Sequence, residues 1–266
     1  MINPKQNEYA VVTGGASGIG NIYVRNLLTI GYNIIIVSPH ECDINELKSV
    51  NSDKDVILLK HDLTKLDECK EVVEETKKYF VSLIINNSGI GAWGETISSK
   101  FEDELQVINL NVIALHYLTK LFVQRFEAQK YGRVINIASI AAFIPAPLFA
   151  NYYASKSYDL SYGQAFNTEL KMQKSNVRVV TICPGFLNTS FFAHSTSSGS
   201  GKNPYLPALK PEKFVAKSIK RALNTKNKNY ILVGAFTKVC WWLTWHLPKR
   251  WFLPIIYRWQ NKRRSK

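Results

Sequence analysis

The sequence predicts an α/β fold built on one doubly wound parallel sheet. Seven short apolar runs recur along the 266 residues, separated by segments whose apolar residues are spaced three and four positions apart. Runs that are apolar throughout are typical of strands buried on both faces, and their alternation with helices favours right-handed βαβ crossovers. We therefore expect about seven strands with helices on both faces.

The apolar runs give the predicted strands in chain order. They are Tyr9–Thr13, Asn33–Ser38, Asp55–Lys60, Val81–Asn86, Arg133–Ala138, Val177–Ile182 and Tyr230–Val233. The longest helical pattern follows Phe101 and continues to Phe126. Since there is no internal repeat and no second core, we predict one domain over residues 1–236 and an extension over residues 237–266.

Composition and charge narrow the class of protein. With 46% hydrophobic and 20% charged residues, the chain is neither disordered, collagenous nor a coiled coil. Its four cysteines form no CxxC pair, which indicates a reduced, cytoplasmic protein without a metal site. The net charge of +14 is confined to one end: residues 1–170 hold 15 basic and 19 acidic side chains, and residues 171–266 hold 19 and 1. Such segregation favours a local anionic partner and argues against nucleic acid.

Membrane-spanning and leader segments are not expected from the sequence. The first eight residues are polar, and the last apolar runs are interrupted by Lys249 and Arg250 before they reach the ~20 residues that a spanning helix needs.

A Gly-rich turn joins the first strand to the first helix. Its sequence, Thr13-Gly-Gly-Ala-Ser-Gly-Ile-Gly20, allows close backbone approach, and the N–H groups of the following helix attract phosphate. The predicted contacts to a dinucleotide are Gly14, Ala16, Ser17, Gly18, Ile19 and Gly20. A plain tight turn is the alternative.

Polar residues follow the third and fourth strands, at the edge where a doubly wound sheet binds ligands. They are Asp62 in His-Asp-Leu-Thr and the segment Asn86-Asn-Ser-Gly-Ile-Gly91. Together with the glycine turn, they give residues 9 to about 234 a pattern that resembles the short-chain dehydrogenase/reductase (SDR) family, whose fold is Rossmann-like. The resemblance implies NAD or NADP as cofactor, with Asp62 and Leu63 beside adenine. It places Asn87, Ser88 and Gly89 beside the nicotinamide ribose, although Ser88 departs from the usual alanine.

The end of the second strand bears on the choice between NAD and NADP. An acid there binds the free ribose 2′-hydroxyl, and an arginine pairs with a 2′-phosphate. This chain has Ser38 followed by Pro39. The absence of an acid at position 38 favours NADP, while nearby Glu41 keeps NAD open.

Tyr152 and Lys156 lie one helical turn apart on one face of a predicted helix. A lysine there lowers the pKa of the phenol, which an acid/base near neutral pH requires. Tyr153 is also one turn from Lys156, so helix geometry alone does not choose between the tyrosines. Ser139, at the end of the fifth strand, and the family pattern favour Tyr152.

The resemblance implies roles for this catalytic set. Tyr152 transfers a proton to or from the substrate oxygen, Ser139 binds that oxygen, Lys156 also holds the nicotinamide ribose, and Asn111 anchors a proton-relay water. Pro184, Gly185, Leu187 and Thr189 follow the sixth strand, with Thr189 near the nicotinamide carboxamide. Taken singly, Ser139 is more often a turn residue and Asn111 a helix residue that satisfies a backbone carbonyl.

Two segments fall outside the repeating pattern. Residues 195–211 are rich in Ser, Gly and Pro and predict an active-site lid, with a plain surface loop as the alternative. Residues 237–266 contain five of the six tryptophans and eight basic residues with no acid, a composition that suits an anionic membrane surface. Packing on the domain, on a partner subunit or over the pocket is the competing interpretation.

The sequence therefore predicts an NAD(P)-dependent oxidoreductase that interconverts a carbonyl and a secondary alcohol. Its substrate is expected to be a small, lipophilic molecule, and family resemblance implies a homo-oligomer. The competing hypotheses are a catalytically silent nucleotide sensor of the same fold and a lipid-surface scaffold that uses the tail. The location is predicted to be cytoplasmic, with the inner surface of a membrane as a peripheral alternative.

Overall fold

The computed structural model describes residues 4–187, 209–246 and 248–264, with side chains as far as residue 261. The strands are β1 (Tyr9–Thr13), β2 (Asn33–Val37), β3 (Val56–Leu59), β4 (Val81–Asn86), β5 (Arg133–Ile137), β6 (Arg178–Cys183) and β7 (Tyr230–Leu232). They form one sheet in the order β3-β2-β1-β4-β5-β6-β7, and every neighbouring pair is parallel. The predicted doubly wound parallel sheet is confirmed.

Helices follow the strands and cover both faces of the sheet. They are α1 (Gly18–Ile30), α2 (Ile44–Lys48), α3 (Leu66–Glu75), α4 (Phe101–Ile108), α5 (Leu115–Gln129), α6 (Ala150–Met172), α7 (Pro211–Asn224), α8 (Ala235–His246) and α9 (Lys249–Arg264). Short 3₁₀ turns lie at Thr76–Lys78 and Ile140–Phe143.

Successive strand residues point to opposite faces and so divide the core in two. On one face, α1 and α7 pack over residues such as Val12 and Ile36, and the buried Tyr23 hydroxyl meets Ser218 Oγ at 3.0 Å. On the other face, α3 and α5 pack over Val11 and neighbouring strand residues. Because all seven strands are parallel, their carboxyl ends share one edge of the sheet, where the loops that carry the predicted site meet.

One long helical stretch contains an irregular turn. A π-helical segment, Asn109–Ala114, joins α4 to α5, whereas the sequence predicts an uninterrupted helix. Among the described residues, Phe101–Gln129 is the one helix long and apolar enough to cross a membrane, by length and composition alone. Its residues Phe122 and Phe126 lie in the core against the sheet, as expected of a crossover helix in a folded domain.

The C-terminal helices contact the domain near the carboxyl edge. Thr237 of α8 is buried, and its Oγ1 lies 2.1 Å from the position that a Cβ on Gly185 would take. Trp241 meets Phe143 edge-on, with ring centroids 6.5 Å apart. The opposite side of these helices exposes large apolar side chains, namely Val239, Trp242, Trp245, Trp251, Ile255 and Tyr257.

The predicted lid lies almost entirely outside the described residues, since only positions 209–211 of it are described. The described residues on either side of positions 188–208 meet beside β6: Leu187 forms a parallel bridge with Leu209, whose N–H donates to the Phe186 carbonyl at 3.0 Å.

Candidate active site

The glycine turn after β1 has the geometry of a phosphate cradle. Gly14 and Gly18 take positive φ values of 65° and 55°, which glycine adopts without steric cost. A Cβ on Gly20 would lie 2.1 Å from the Gly14 carbonyl oxygen, so no side chain fits there. Ser17 precedes α1 without capping it through its side chain, which leaves first-turn N–H groups for an anion. Ala16 and Ile19 lie in the same turn.

The ends of β1 and β4 are tied together beside this turn. The Thr13 hydroxyl accepts from the N–H groups of Asn87 and Ser88 at 2.9 and 3.0 Å, and Asn87 Nδ2 donates to the Thr13 carbonyl at 3.0 Å. Ser88 also lines a small cavity with Leu63. Asp62 Oδ1 accepts from Thr64 N–H at 3.0 Å and so shapes the loop after β3.

The end of β2 combines a buried serine with a nearby ion pair. Ser38 is buried, and its hydroxyl accepts from the His40 N–H at 3.1 Å. Glu41, the residue that keeps NAD open, forms an ion pair with Lys60 at the end of β3. The acid at this edge is therefore paired with a base.

Asn111 lies in the π-helical turn and is fully buried. Its Oδ1 accepts from the Ile90 N–H at 3.0 Å, while Nδ2 donates to the Ile90 carbonyl and to Ser155 Oγ, each at 2.9 Å. These bonds link the loop after β4 to α6. Both interpretations of Asn111 remain compatible with this geometry, because π-helical turns often occur at functional sites and the side chain also satisfies backbone groups.

The structure distinguishes the two tyrosines by their contacts. Tyr152 is buried and hydrogen-bonds Ser139, which follows β5 and also accepts from the Ala141 N–H at 3.1 Å. Tyr153 is half-buried and lies edge-on to the Phe149 ring at 6.0 Å. The pairing with Ser139 thus falls to Tyr152, as the spacing favoured.

The pKa of Tyr152 differs from the sequence-based expectation. Burial raises it to about 12; the bond with Ser139 lowers it and the charge of Asp159 raises it further. The expected lowering by Lys156 does not prevail, because desolvation of the buried phenol is the largest effect on this pKa. Lys156 Nζ donates to the Ile137 carbonyl at 3.0 Å and to Asp159 Oδ2 at 2.9 Å.

Asp159 is a site residue that the sequence analysis missed. It lies one turn beyond Lys156 on α6 and is fully buried, and burial raises its pKa to about 6 although the contact with Lys156 opposes the rise. A charged residue one turn after the lysine was the available signal. Its burial depends on the packing of α6 against β6, which no local pattern reveals.

Aromatic rings form the wall beside Tyr152. Phe149 stacks on the Tyr152 ring at 4.6 Å and meets Trp93 at 5.2 Å. Leu148 takes φ 62°, a strained conformation for a bulky residue, and its carbonyl accepts from the Gly94 N–H at 2.9 Å. The sequence marked the segment before Tyr152 as apolar, but only the fold shows that Phe149 contacts the phenol ring.

The motif after β6 is described in part. The Pro184 carbonyl accepts from the Ile140 N–H at 2.6 Å, so this loop is held beside Ser139, and Gly185 contacts α8. Leu187 forms the bridge to Leu209 noted above. Thr189 lies outside the described residues.

Metal ligands were not expected from the sequence. Among the described residues, His61, Glu71 and Glu75 place possible ligand atoms within 4.8 Å of one another. Both carboxylates are exposed, and His61 Nε2 already hydrogen-bonds Glu75 at 2.8 Å. Exposed acids often cluster in this way, so we assign no metal.

These residues fit a dinucleotide cofactor along the carboxyl edge. Gly18 faces open space, with no described atom within 4 Å of a Cβ position, as a pyrophosphate cradle requires. At the other end, a Cβ on Gly89 would lie 3.4 Å from Asn111 Oδ1 and 3.5 Å from Lys156 Nζ. The absence of a side chain at Gly89 therefore leaves both polar atoms bordering the space above this loop.

The parallel sheet and the glycine turn at its carboxyl edge define an α/β protein of the dinucleotide-binding class. The family model for short chain dehydrogenase matches residues 8–199. The chain belongs to this family, an oxidoreductase family that uses NAD or NADP.

Individual relatives agree with the family. The chain is 25% identical over 243 residues to 17-beta-hydroxysteroid dehydrogenase type 3 of Homo sapiens, covering 88% of this chain and 71% of the relative. It is 31% identical over 182 residues to the 3-oxoacyl-[acyl-carrier-protein] reductase FabG of Rickettsia bellii, covering 68% of this chain and 73% of the relative. A short-chain dehydrogenase from Sphingobium yanoikuyae, solved in complex with NADPH, has a TM-score of 0.72 at 23% identity and covers 80% of this chain and 84% of that one.

Proposed function

We propose that the protein is an NADP(H)-dependent reductase of a lipophilic carbonyl compound, which it converts to a secondary alcohol. The hydrogen bond between Ser139 and Tyr152 at the carboxyl end of β5 carries the proposal, because it aligns a proton donor with a second group able to bind the same oxygen. Bound cofactor supplies the hydride. A nucleotide sensor would need the glycine cradle but not this paired serine and tyrosine.

The roles of the chain's own residues follow from their contacts. Ser139 orients the substrate oxygen, and Tyr152 donates its proton to that oxygen as the carbonyl carbon accepts the hydride. Lys156 holds the ribose with its remaining N–H donor. Asn111 fixes the π-helical turn against Ile90, and by family resemblance it would anchor the water that returns a proton to Tyr152.

The lipophilic character of the substrate is inferred from the walls of the site. Phe149 stacks on Tyr152 and in turn contacts Trp93, and Phe143 contacts both Tyr230 and Trp241. Apolar walls bind ligands mainly by removing their apolar surface from water. The names of two relatives, a hydroxysteroid dehydrogenase and a 3-oxoacyl reductase, point to the same kind of substrate.

The preference for NADP is inferred from the end of β2. No acid occupies position 38, and Lys60 pairs with Glu41 and so offsets its repulsion of a 2′-phosphate. The relative solved with NADPH agrees with this choice. Replacement of Glu41 by Gln frees Lys60 and is expected to increase the preference for NADPH.

Nicotinamide absorbance over time tests the proposed function. Purified protein is assayed with NADH and NADPH against ketones and 3-oxoacyl thioesters of graded chain length. We expect turnover that rises with chain length and is faster with NADPH. The Tyr152→Phe variant should lose 10²–10⁴-fold in kcat, roughly the usual contribution of a general acid.

Tyr153→Phe is the matched control, because it removes the same hydroxyl from the adjacent tyrosine and should retain most of the activity. Wild-type protein that binds NADPH but turns over no carbonyl in the series would favour the nucleotide sensor. Equal loss in both tyrosine variants would contradict the assigned role of Tyr152.

We propose further that residues 237–266 form an extension that contacts an anionic membrane surface. The support is the exposed apolar side of α8 and α9, including Trp242, Trp245 and Trp251, together with basic residues and no acid. Arg250 lies over the Trp251 ring at 5.7 Å, so charge and aromatic surface coincide. Co-sedimentation with anionic vesicles is the direct test.

By family resemblance alone, we expect the protein to form a homo-oligomer.

A further inference from the structure

A buried carboxylate lies beside the lysine of the proposed active site. Lys156 Nζ and Asp159 Oδ2 are 2.9 Å apart, and the two side chains are 5% and 0% exposed. The proposed proton transfer uses Tyr152 and Lys156 and gives Asp159 no part. Burying an ion pair costs desolvation free energy unless its geometry is good. A buried carboxylate at this position therefore indicates a role beyond packing.

Lys156 is the one charged side chain that contacts Asp159 in the described part of the chain. Tyr152 and Tyr158 face it from its own helix, and Cys183 faces it from β6. Its second oxygen, Oδ1, is buried with no hydrogen-bond partner among the described residues. The carboxylate therefore acts mainly on Lys156 and on the phenol one turn further back.

We propose that Asp159 is a positioning residue that fixes the Lys156 ammonium beneath the ribose site and offsets its charge at Tyr152, so that Tyr152 keeps its proton and serves as an acid. This inference rests on the proposed function and deepens it, since a tyrosine that retains its proton favours carbonyl reduction over alcohol oxidation. Two bonds, to Ile137 and to Asp159, fix the ammonium, and its third donor remains for the ribose.

The charges of Lys156 and Asp159 act together on the Tyr152 phenol. While Asp159 is ionised, the Lys156–Asp159 pair is neutral and stabilises a tyrosinate only weakly. Replacing Asp159 by asparagine leaves one positive charge near Tyr152, and such a charge favours the ionised phenol. At an effective dielectric constant near 20, a charge several ångströms away lowers a pKa by about one unit or more.

Titration of tyrosine labelled with ¹³C at Cζ tests this inference without any turnover. Spectra of the protein without cofactor are recorded against pH for the wild type and Asp159→Asn, and Tyr152→Phe identifies the Tyr152 signal. We expect the Tyr152 signal to begin titrating about one pH unit lower in Asp159→Asn. An unchanged Tyr152 titration in folded Asp159→Asn would overturn the proposal.

Glu169→Gln is the matched control. It makes the same carboxylate-to-amide change on the exposed side of α6 and should leave the Tyr152 signal unchanged. The pH profile of carbonyl reduction gives a second readout: its alkaline limb should move down by about one pH unit in Asp159→Asn only. A structural role for Asp159 would lower stability without moving this limb.

A charge-free pair keeps the proposal testable if Asp159→Asn does not fold. Lys156→Met with Asp159→Leu removes both buried charges, a change that is often tolerated. Because the charges offset each other at Tyr152, the double variant should titrate close to wild type, whereas Lys156→Met alone should titrate higher. A double variant that titrates like Lys156→Met would contradict the offset.

Absence of turnover in the wild type, with the expected NMR shifts present, would count against the proposed function and leave the electrostatic coupling between Asp159 and Tyr152 in place.

Discussion

Gly20 shows how a single residue fixes the shape of the glycine turn that we propose as the cofactor cradle. It lies against the Gly14 carbonyl oxygen and Asn87 Nδ2, at 2.1 and 2.6 Å from the position of a Cβ. The backbone of the glycine turn and the amide that ties β1 to β4 therefore leave no volume for a side chain. The same Asn87 amide holds the Thr13 carbonyl, so a shift at Gly20 would spread to the strand ends.

Gly20→Ala is expected to destabilise the protein and weaken the cradle. Overpacking against backbone costs about 1–3 kcal/mol in free energy of unfolding, and the displaced turn should bind NADH and NADPH at least about tenfold more weakly. Urea unfolding and cofactor fluorescence titration measure the two effects.

Gly94→Ala is the control for Gly20→Ala. Gly94 has a positive φ, 155°, which Gly20 does not, and no described atom lies within 4 Å of its Cβ position. The control should therefore show backbone strain alone and bind cofactor normally. Normal cofactor binding in Gly20→Ala would contradict the assigned cradle.

The helical stretch from α4 to α5 shows how an element adapts to the site. The π-helical turn brings Asn111 against the loop after β4, where its side chain makes three hydrogen bonds in a buried setting. A regular helix would rotate the following residues by part of a turn and change which side of α5 faces the sheet. The irregular turn thus couples the packing of α5 to the position of Asn111.

Asn111→Ala is expected to lower the free energy of unfolding by about 2–4 kcal/mol, because the Ile90 N–H and carbonyl and the buried Ser155 hydroxyl lose their partner. Loss of kcat should accompany it if Asn111 anchors the proton relay. Asn109→Ala changes the same residue type in the same turn at a half-buried position and should cost far less. Equal costs in the two variants, measured by urea unfolding, would argue against the specific role of Asn111.

The whole molecule divides into a slightly acidic part, residues 1–170, and a strongly basic part, residues 171–266, which includes the last strands of the sheet as well as the tail. The acidic residues lie almost entirely before residue 171, while the exposed apolar side chains of α8 and α9 belong to the basic part. The tail also packs on the domain through Thr237 and Trp241. Part of α8 therefore packs on the domain, while the exposed apolar side chains of α8 and α9 leave the proposed membrane contact to be tested.

Vesicle co-sedimentation should show binding to anionic vesicles that falls with salt, since both charge and apolar surface contribute. Each basic residue near such a surface contributes about 1 kcal/mol, so Lys249→Ala with Arg250→Ala should weaken partition roughly 30-fold. Lys213→Ala with Lys217→Ala removes the same charge from exposed positions of α7 and is the control. Equal weakening in the two double variants would indicate non-specific attraction, and no binding to any vesicle would reject the membrane contact.

Features that depend on local pattern could be predicted from the amino-acid sequence. The seven strands appear within about two residues of their predicted bounds, because buried parallel strands are continuous apolar runs and each is followed by a helical period. The glycine turn, Asp62 and the Asn87 segment could be assigned to one sheet edge, because all carboxyl ends of a parallel sheet share it.

Features that depend on contacts between distant segments follow only from the packed fold. Ser139 pairs with Tyr152 because β5 and α6 pack together, and Phe149 reaches the phenol through a strained loop. The pKa of Tyr152 lies opposite to its expected direction because desolvation, which no sequence spacing reveals, outweighs the nearby hydrogen bond. Asp159 belongs to the site because α6 buries it beside Lys156, and burial is a property of the packed fold that the sequence does not show.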